Sequence, residues 1–265
     1  MFRSIRSPEV LLTTLAAAGI LMVTMGARQS LGLFVAPINE STSLGIVTIS
    51  LALAVGQFTW GAMQPVAGAV ADRYGPRAVL ITGLVVLAIG SALTPFMTSG
   101  IGLIVSLGLL SAMGAGAGSF SVLIGAAAQR MPLEARGTAS GVINAGGSFG
   151  QFVFAPIIQK LISLFGWMGA MWSLALLTLT ALPLVGKLTR PGAAAPKHAE
   201  ADAGLKNTVV GAMQDRSYLL LHAGTVVRKA RLLQAISGWD DSLAPNAVEV
   251  YVSRLRAKLA PAGVQ

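Results

Sequence analysis

The chain has no cysteine, which removes disulfides, thiol chemistry and cysteine-type zinc sites at once. Histidine is almost missing as well: His198 and His222 are too few and too far apart for a metal site. Charge is scarce. Only 11% of the residues are Asp, Glu, Lys or Arg, against about 25% in an ordinary soluble domain. Acids are the rarer sign, ten against nineteen bases, and none lies inside a long apolar run. Glu9, Glu40, Asp72 and Glu134 all stand at the ends of such runs. A carrier driven by protons needs a carboxylate or histidine within the membrane, and these runs supply neither. No set of nucleophile, base and orienting residue marks an enzyme, and no cofactor motif is present. The GAGAGS stretch at 114–119 lacks the Lys-Ser/Thr of a phosphate loop and follows no strand. Small residues for close helix packing explain it better.

What the chain has in quantity is apolar sequence, 54% of 265 residues. About 20 consecutive apolar residues suffice to cross a bilayer, and six runs qualify: residues 10–38, 44–71, 78–97, 101–128, 137–164 and 167–188. The expected fold is therefore an all-α membrane protein with six transmembrane helices. Bases alternate between connections. Arg3 and Arg6, then Arg73 and Arg77, then Arg130 and Arg136, then Lys187 and Arg190 occupy the N-terminal arm and every second connection. The other connections hold none, although Lys160 lies near one end of the fifth run and can snorkel to that surface. The excess of bases marks the cytoplasmic side. The expectation is a multi-pass protein of the inner, cytoplasmic membrane with the N-terminus and the segment after the sixth helix both cytoplasmic.

One ionisable residue, Arg28, falls deep inside a span, in MGARQSLG. A charge in lipid is costly and usually functional. A guanidinium there is a fixed fork for a small organic anion, most naturally a carboxylate. The alternative is an arginine that snorkels to the outer surface. Gln57, Asn144 and Gln151 are polar residues of the second and fifth runs that can share a substrate cavity, or simply bond helix to helix. An internal repeat is also visible. Met25-Gly26-Ala27 recurs as Met113-Gly114-Ala115, and Gly56-Gln57-Phe58 as Gly150-Gln151-Phe152. Repeats of three plus three helices, inverted in the membrane, build many transporters.

Residues 68–77, GAVADRYGPR, lie between the second and third runs. Gly75 and Pro76 break the helix there, and the expected result is a short charged turn in water. This stretch resembles the signature loop of the major facilitator superfamily, with Gly68, Asp72, Arg73, Gly75 and Arg77 at matching places. Val70 stands where leucine is usual, and Ala78 where a second base is often found. The resemblance implies that residues 1–190 form one six-helix half of a facilitator fold. It implies that Asp72 and the arginines brace neighbouring helix ends during transport. The surroundings of Arg28 are similar to the oxalate/formate-antiporter branch, which implies small organic anions. The fourth helix lacks the arginine of many proton-coupled members, which favours anion exchange or facilitated passage.

Residues 191–217 read as a small-residue cytoplasmic linker. No seventh span follows, because Arg228, Lys229 and Arg231 interrupt the apolar stretch at 218–227. Residues 218–265 instead contain GWDD and NAVEVYVSRLRAKL, which resemble the winged-helix output domain of OmpR/PhoB-type response regulators. That likeness covers only part of the family's domain, so the expected tail is small, incomplete and winged-helix-like. By position it implies that Asn246, Tyr251 and Arg254 face DNA, with weak and salt-sensitive contact at most. Three readings follow: an organic-anion transporter half that is truncated and inactive alone, a membrane-tethered DNA-binding regulator of two-component type, or a gene fusion with its seam at 218–224. Two chains pairing as a homodimer would restore twelve helices. The remaining partner is the lipid bilayer.

Overall fold

The computed structural model describes residues 7–189. The N-terminal arm, the linker and the tail, including Asn246, Tyr251 and Arg254, lie outside the described residues. Among the described residues all regular structure is helical. Five continuous helical stretches are long and apolar enough to cross a membrane. They are α1 (Pro8–Thr42), α2 (Ile46–Tyr74), α3 (Pro76–Phe96), α4 (Gly100–Ala128) and a final stretch, Leu133–Leu188. That last stretch has 56 residues, about 84 Å if straight, nearly three times a bilayer's ~30 Å core. It does not run straight. Gly166 breaks it with φ 68° and ψ 173°, a conformation open essentially to glycine alone. The two parts, α5 (133–165) and α6 (167–188), restore the six rods expected from the sequence.

The rods alternate in direction. Helix ends are paired by contacts: Gly100 at the start of α4 meets Thr48 near the start of α2. Trp172, early in α6, donates through Nε1 to the Ala92 carbonyl at 3.2 Å, and its ring sits 6.0 Å from Phe96 at the end of α3. At the opposite end, Arg130 donates to the carbonyl of Lys187, joining the α4–α5 connection to the end of α6. Arg73, Arg77, Arg130, Arg136 and Lys187 therefore gather at one end of the bundle.

Helices in lipid gain nothing from hiding apolar surface from one another, so small residues that let backbones approach do the joining. Gly146 and Gly150 of α5 lie against Ala18 and Met22 of α1, the second so closely that a Cβ would meet the Met22 carbonyl. Four-residue spacing on both helices makes this a parallel Gly-xxx-Gly seam. Gly108 and Gly116 of α4 fit in the same way against Ala52, Val55, Trp60 and Met63 of α2, again in parallel. The pairs α1–α5 and α2–α4 match what a three-plus-three repeat requires. Within that repeat, Phe58 and Phe152 correspond and are 79% and 76% exposed.

Two expected boundaries move. The charged turn expected at 72–77, between the second and third runs, is shorter than that. Helix α2 continues through Asp72, Arg73 and Tyr74, and only Gly75 interrupts the chain, with φ 89° and ψ 148°, before Pro76 opens α3. Alanine and valine carry the helix on, glycine alone tolerates that break, and proline suits a first helical position. Helix α1 also outruns its expected end at residue 38, because the hydroxyls of Ser41 and Thr42 bond back to the Ile38 carbonyl. Inside α4, residues Ile104–Ser111 are wound as a π-helix, and the α-helical run stops at Gly118. Thr24 of α1 donates its hydroxyl to the Gly118 carbonyl at 3.1 Å. A carbonyl released at membrane depth thus finds a partner from a neighbouring helix.

Candidate functional site

Arg28 lies about 21 Å of helix from Thr42, the nearer end of α1. Immediately after it the helix tightens into a 3-10 turn, Leu31–Phe34. Its side chain does not climb towards that end. Nη1 donates to Oε1 of Gln57 on α2, and the guanidinium carbon sits 4.2 Å from the ring centre of Trp60. Gln57 and Trp60 are about 16 and 21 Å along α2 from Ile46, at the same end of the bundle as Thr42. The arginine therefore reaches sideways at its own depth, and the snorkelling alternative does not describe this geometry. Its Nε is buried and has no hydrogen-bond partner among the described residues.

The guanidinium borders a cavity of about 220 Å³. Arg28, Gln29 and Gln57 are among its polar lining residues, and Leu53, Leu87, Leu107 and Ala115 among its apolar ones. Ser111 also lines it, is 1% exposed, and carries a hydroxyl with no partner among the described residues. A drug-sized pocket usually holds about 300–1,000 Å³, so this space suits a molecule of only a few heavy atoms. One fixed positive fork, neutral polar groups beside it and an aliphatic wall can hold a small anion with an apolar body.

Of the four residues expected in such a site, Arg28 and Gln57 come together. Asn144 is exposed and Gln151 partly exposed on α5, and neither lines this cavity. Trp60 and Ser111 were missed. Trp60 had a legible signal, since it follows Gln57 by three residues and shares its helix face. Ser111 had none, because its direction depends on the π-helical winding of α4. Of the signature residues, Gly75 forms the break, and the Arg73 guanidinium lies 5.4 Å from the Tyr74 ring centre. Asp72 is exposed and bonds to none of the described residues.

Comparison with known proteins decides the family. The chain matches the Major Facilitator Superfamily over residues 17–251. It belongs to that superfamily. The match extends past 218–224, so the facilitator pattern also covers most of the stretch that resembles a response regulator. Monocarboxylate transporter 13 of Rattus norvegicus is 33% identical over 173 residues, 64% of this chain and 39% of the relative. Monocarboxylate transporter 11 of Homo sapiens is 32% identical over 184 residues, 67% of this chain and 38% of the relative. The "Probable sulfoacetate transporter SauU" of Cupriavidus necator is 30% identical over 126 residues, 47% of this chain and 29% of the relative. The chain thus spans about two-fifths of the length of the monocarboxylate transporters it matches. The superfamily is one of transporters rather than enzymes, and its members are multi-pass membrane proteins.

Proposed function

We propose that this chain forms a six-helix half of a carrier for small organic anions, with Arg28 as the group that takes the anion's carboxylate or sulfonate. The observation that carries this reading is Arg28, which lines the cavity and whose buried Nε has no partner among the described residues. Gln57 engages Nη1, which leaves the rest of the guanidinium's donors for charge-assisted contacts. The printed names of the relatives, monocarboxylate and sulfoacetate transporters, support the same chemistry. Gln57 positions Arg28, while Asn144 and Gln151 stand nearer the exposed face of α5. Residues 1–190 are the six-helix body, 191–217 the linker and 218–265 the tail. The end bearing Arg73, Arg77, Arg130, Arg136 and Lys187 faces the cytoplasm, and so do both termini.

Alternating access rocks one six-helix half against another. The full chain in nanodiscs is therefore expected to bind propionate or sulfoacetate, and the same chain in liposomes to show no saturable uptake. Loss of binding in Arg28→Ala supports the assignment. Undiminished binding by that variant removes Arg28 from the site, and saturable uptake by the chain alone would overturn the expectation of inactivity and point to a homodimer as the source of the second half. Reporter fusions at Ser43 and Gly166 are expected to read outside, and those at Gly75 and Pro132 inside.

A second reading rests on the order of residues in NAVEVYVSRLRAKL. It makes the tail a response-regulator-like winged helix, joined near 218–224, in which Asn246, Tyr251 and Arg254 contact DNA. Weak binding that disappears as salt is raised is the expected result of a gel-shift assay. A footprint on a defined sequence at physiological salt would favour a membrane-tethered regulator over the transporter.

A further inference from the structure

We infer that Trp60 is a positioning residue for the anion, holding the Arg28 guanidinium in place at the edge of the cavity. The inference rests on the anion-site reading above and adds a residue to it. Three observations converge. The guanidinium carbon is 4.2 Å from the indole centre, well inside the roughly 6 Å range of a cation–π contact. Gln57, one turn earlier on the same helix, accepts a hydrogen bond from Nη1. Nε, on another edge of the same plane, is buried with no partner among the described residues. An indole beneath the guanidinium carbon and an amide on Nη1 leave the cation little freedom to turn.

The height of Trp60 is itself fixed by packing. Gly116 of α4 allows α2 to come so near that a Cβ there would lie 3.0 Å from the Trp60 carbonyl and 2.8 Å from the Met63 side chain. Helix α2 is thus pinned to α4 at the turn that carries the indole. Lysine in place of Arg28 would keep the charge but lose the planar fork. Leucine in place of Trp60 would keep much of the apolar bulk but lose the π face.

The test uses the full chain in nanodiscs, propionate as the ligand, and tryptophan emission with calorimetry as readouts. The chain has four tryptophans, so the Trp60 contribution is read by difference against Trp60→Phe. The expected result is an emission change on adding propionate to the unaltered protein that is missing in Trp60→Phe. Phe keeps a π face, so its affinity should stay within about threefold. Trp60→Leu should weaken binding roughly tenfold, which is about 1.4 kcal/mol. In Arg28→Lys the emission change should disappear even at propionate concentrations that restore occupancy. Equal affinity in Trp60→Leu and the unaltered protein would overturn the inference, as would an emission change that persists in Trp60→Phe. If Trp60→Leu does not fold, the emission difference decides alone. Absence of any propionate binding to the unaltered chain would instead remove the anion-site reading, and this inference with it.

Discussion

Helices α1 and α2 are alike in apolarity and unlike in surroundings. In the most apolar part of each, 67% of α1 is buried within the protein but only 17% of α2. The buried residues of α1, from Ala16 to Ala27, include neighbours in sequence and so lie on every side of the helix. Those of α2 are Ile49, Ala52, Ala67 and Ala71, and with Gly56, Trp60 and Met63 between them they trace one narrow stripe at three- and four-residue steps. Membrane hydropathy reports that a segment enters lipid. It does not report which segments have protein neighbours, because the lipid-facing side must be apolar too. The Arg28 site lies where the enclosed helix meets the open one.

The largest effect expected from this contrast is at the α1–α5 seam. Gly150→Ala places a methyl group against the Met22 carbonyl, and the backbone there cannot yield as a side-chain end would. Overpacking of this kind costs about 1–3 kcal/mol and sometimes more, so the variant should lose most of its folded yield in detergent. Gly61→Ala on α2 is the paired control. A Cβ at Gly61 meets nothing within 4 Å, and its yield should be unchanged. Equal losses at both positions would show that α2 is more enclosed than its single stripe indicates.

Next in size is Gln57→Glu. The new carboxylate would pair with Arg28 in the place where the amide now accepts its hydrogen bond. Folded yield should hold or rise, because an intramembrane charge gains a counter-ion. Propionate binding should fall roughly a hundredfold, about 2.7 kcal/mol, because the guanidinium charge is then balanced by the protein's own carboxylate, which also repels the ligand's. Retained binding at equal affinity would show that the charge of Arg28 does not hold the anion.

The legible part of this molecule was the part governed by composition. The six runs, the bases at one end and the isolation of Arg28 all follow from the cost of placing polar groups in lipid, and the rods appear where that cost puts them. Gly75 was placed correctly as a break, and the gap expected between residues 164 and 167 holds Gly166, whose conformation excludes other residues. The error at Asp72–Tyr74 came from treating charge as a turn signal. Charged residues at a helix end in water cost nothing, so the helix simply continues. The cavity was half legible. Arg28 and Gln57 are conspicuous because each is polar among apolar residues. Asn144 and Gln151 are equally conspicuous, yet the rotation of α5 keeps both out of the cavity. Rotation about a helix axis depends on which small residues face which backbone, and that is a property of pairs of helices.

The smallest effect separates cavity wall from packing within α4. Ser106 and Ser111 stand five residues apart, one turn of the π-helix, and both hydroxyls are buried with no partner among the described residues. Both crowd Gly90 of α3, where a Cβ would lie 2.5 Å from the Ser111 hydroxyl and 2.8 Å from the Ser106 carbonyl. A buried hydroxyl without a partner is a cost rather than a gain, so each serine-to-alanine change should leave stability equal or raise it by up to about 1 kcal/mol. The two should differ in binding. Ser111 lines the cavity and Ser106 does not. Ser111→Ala should therefore weaken propionate binding about two- to threefold, the size of a lost neutral hydrogen bond of about 0.5 kcal/mol. Ser106→Ala should leave it unchanged. Equal affinity in both variants would mean that the Ser111 hydroxyl faces Gly90 alone, and that the anion is held entirely from the Arg28 side.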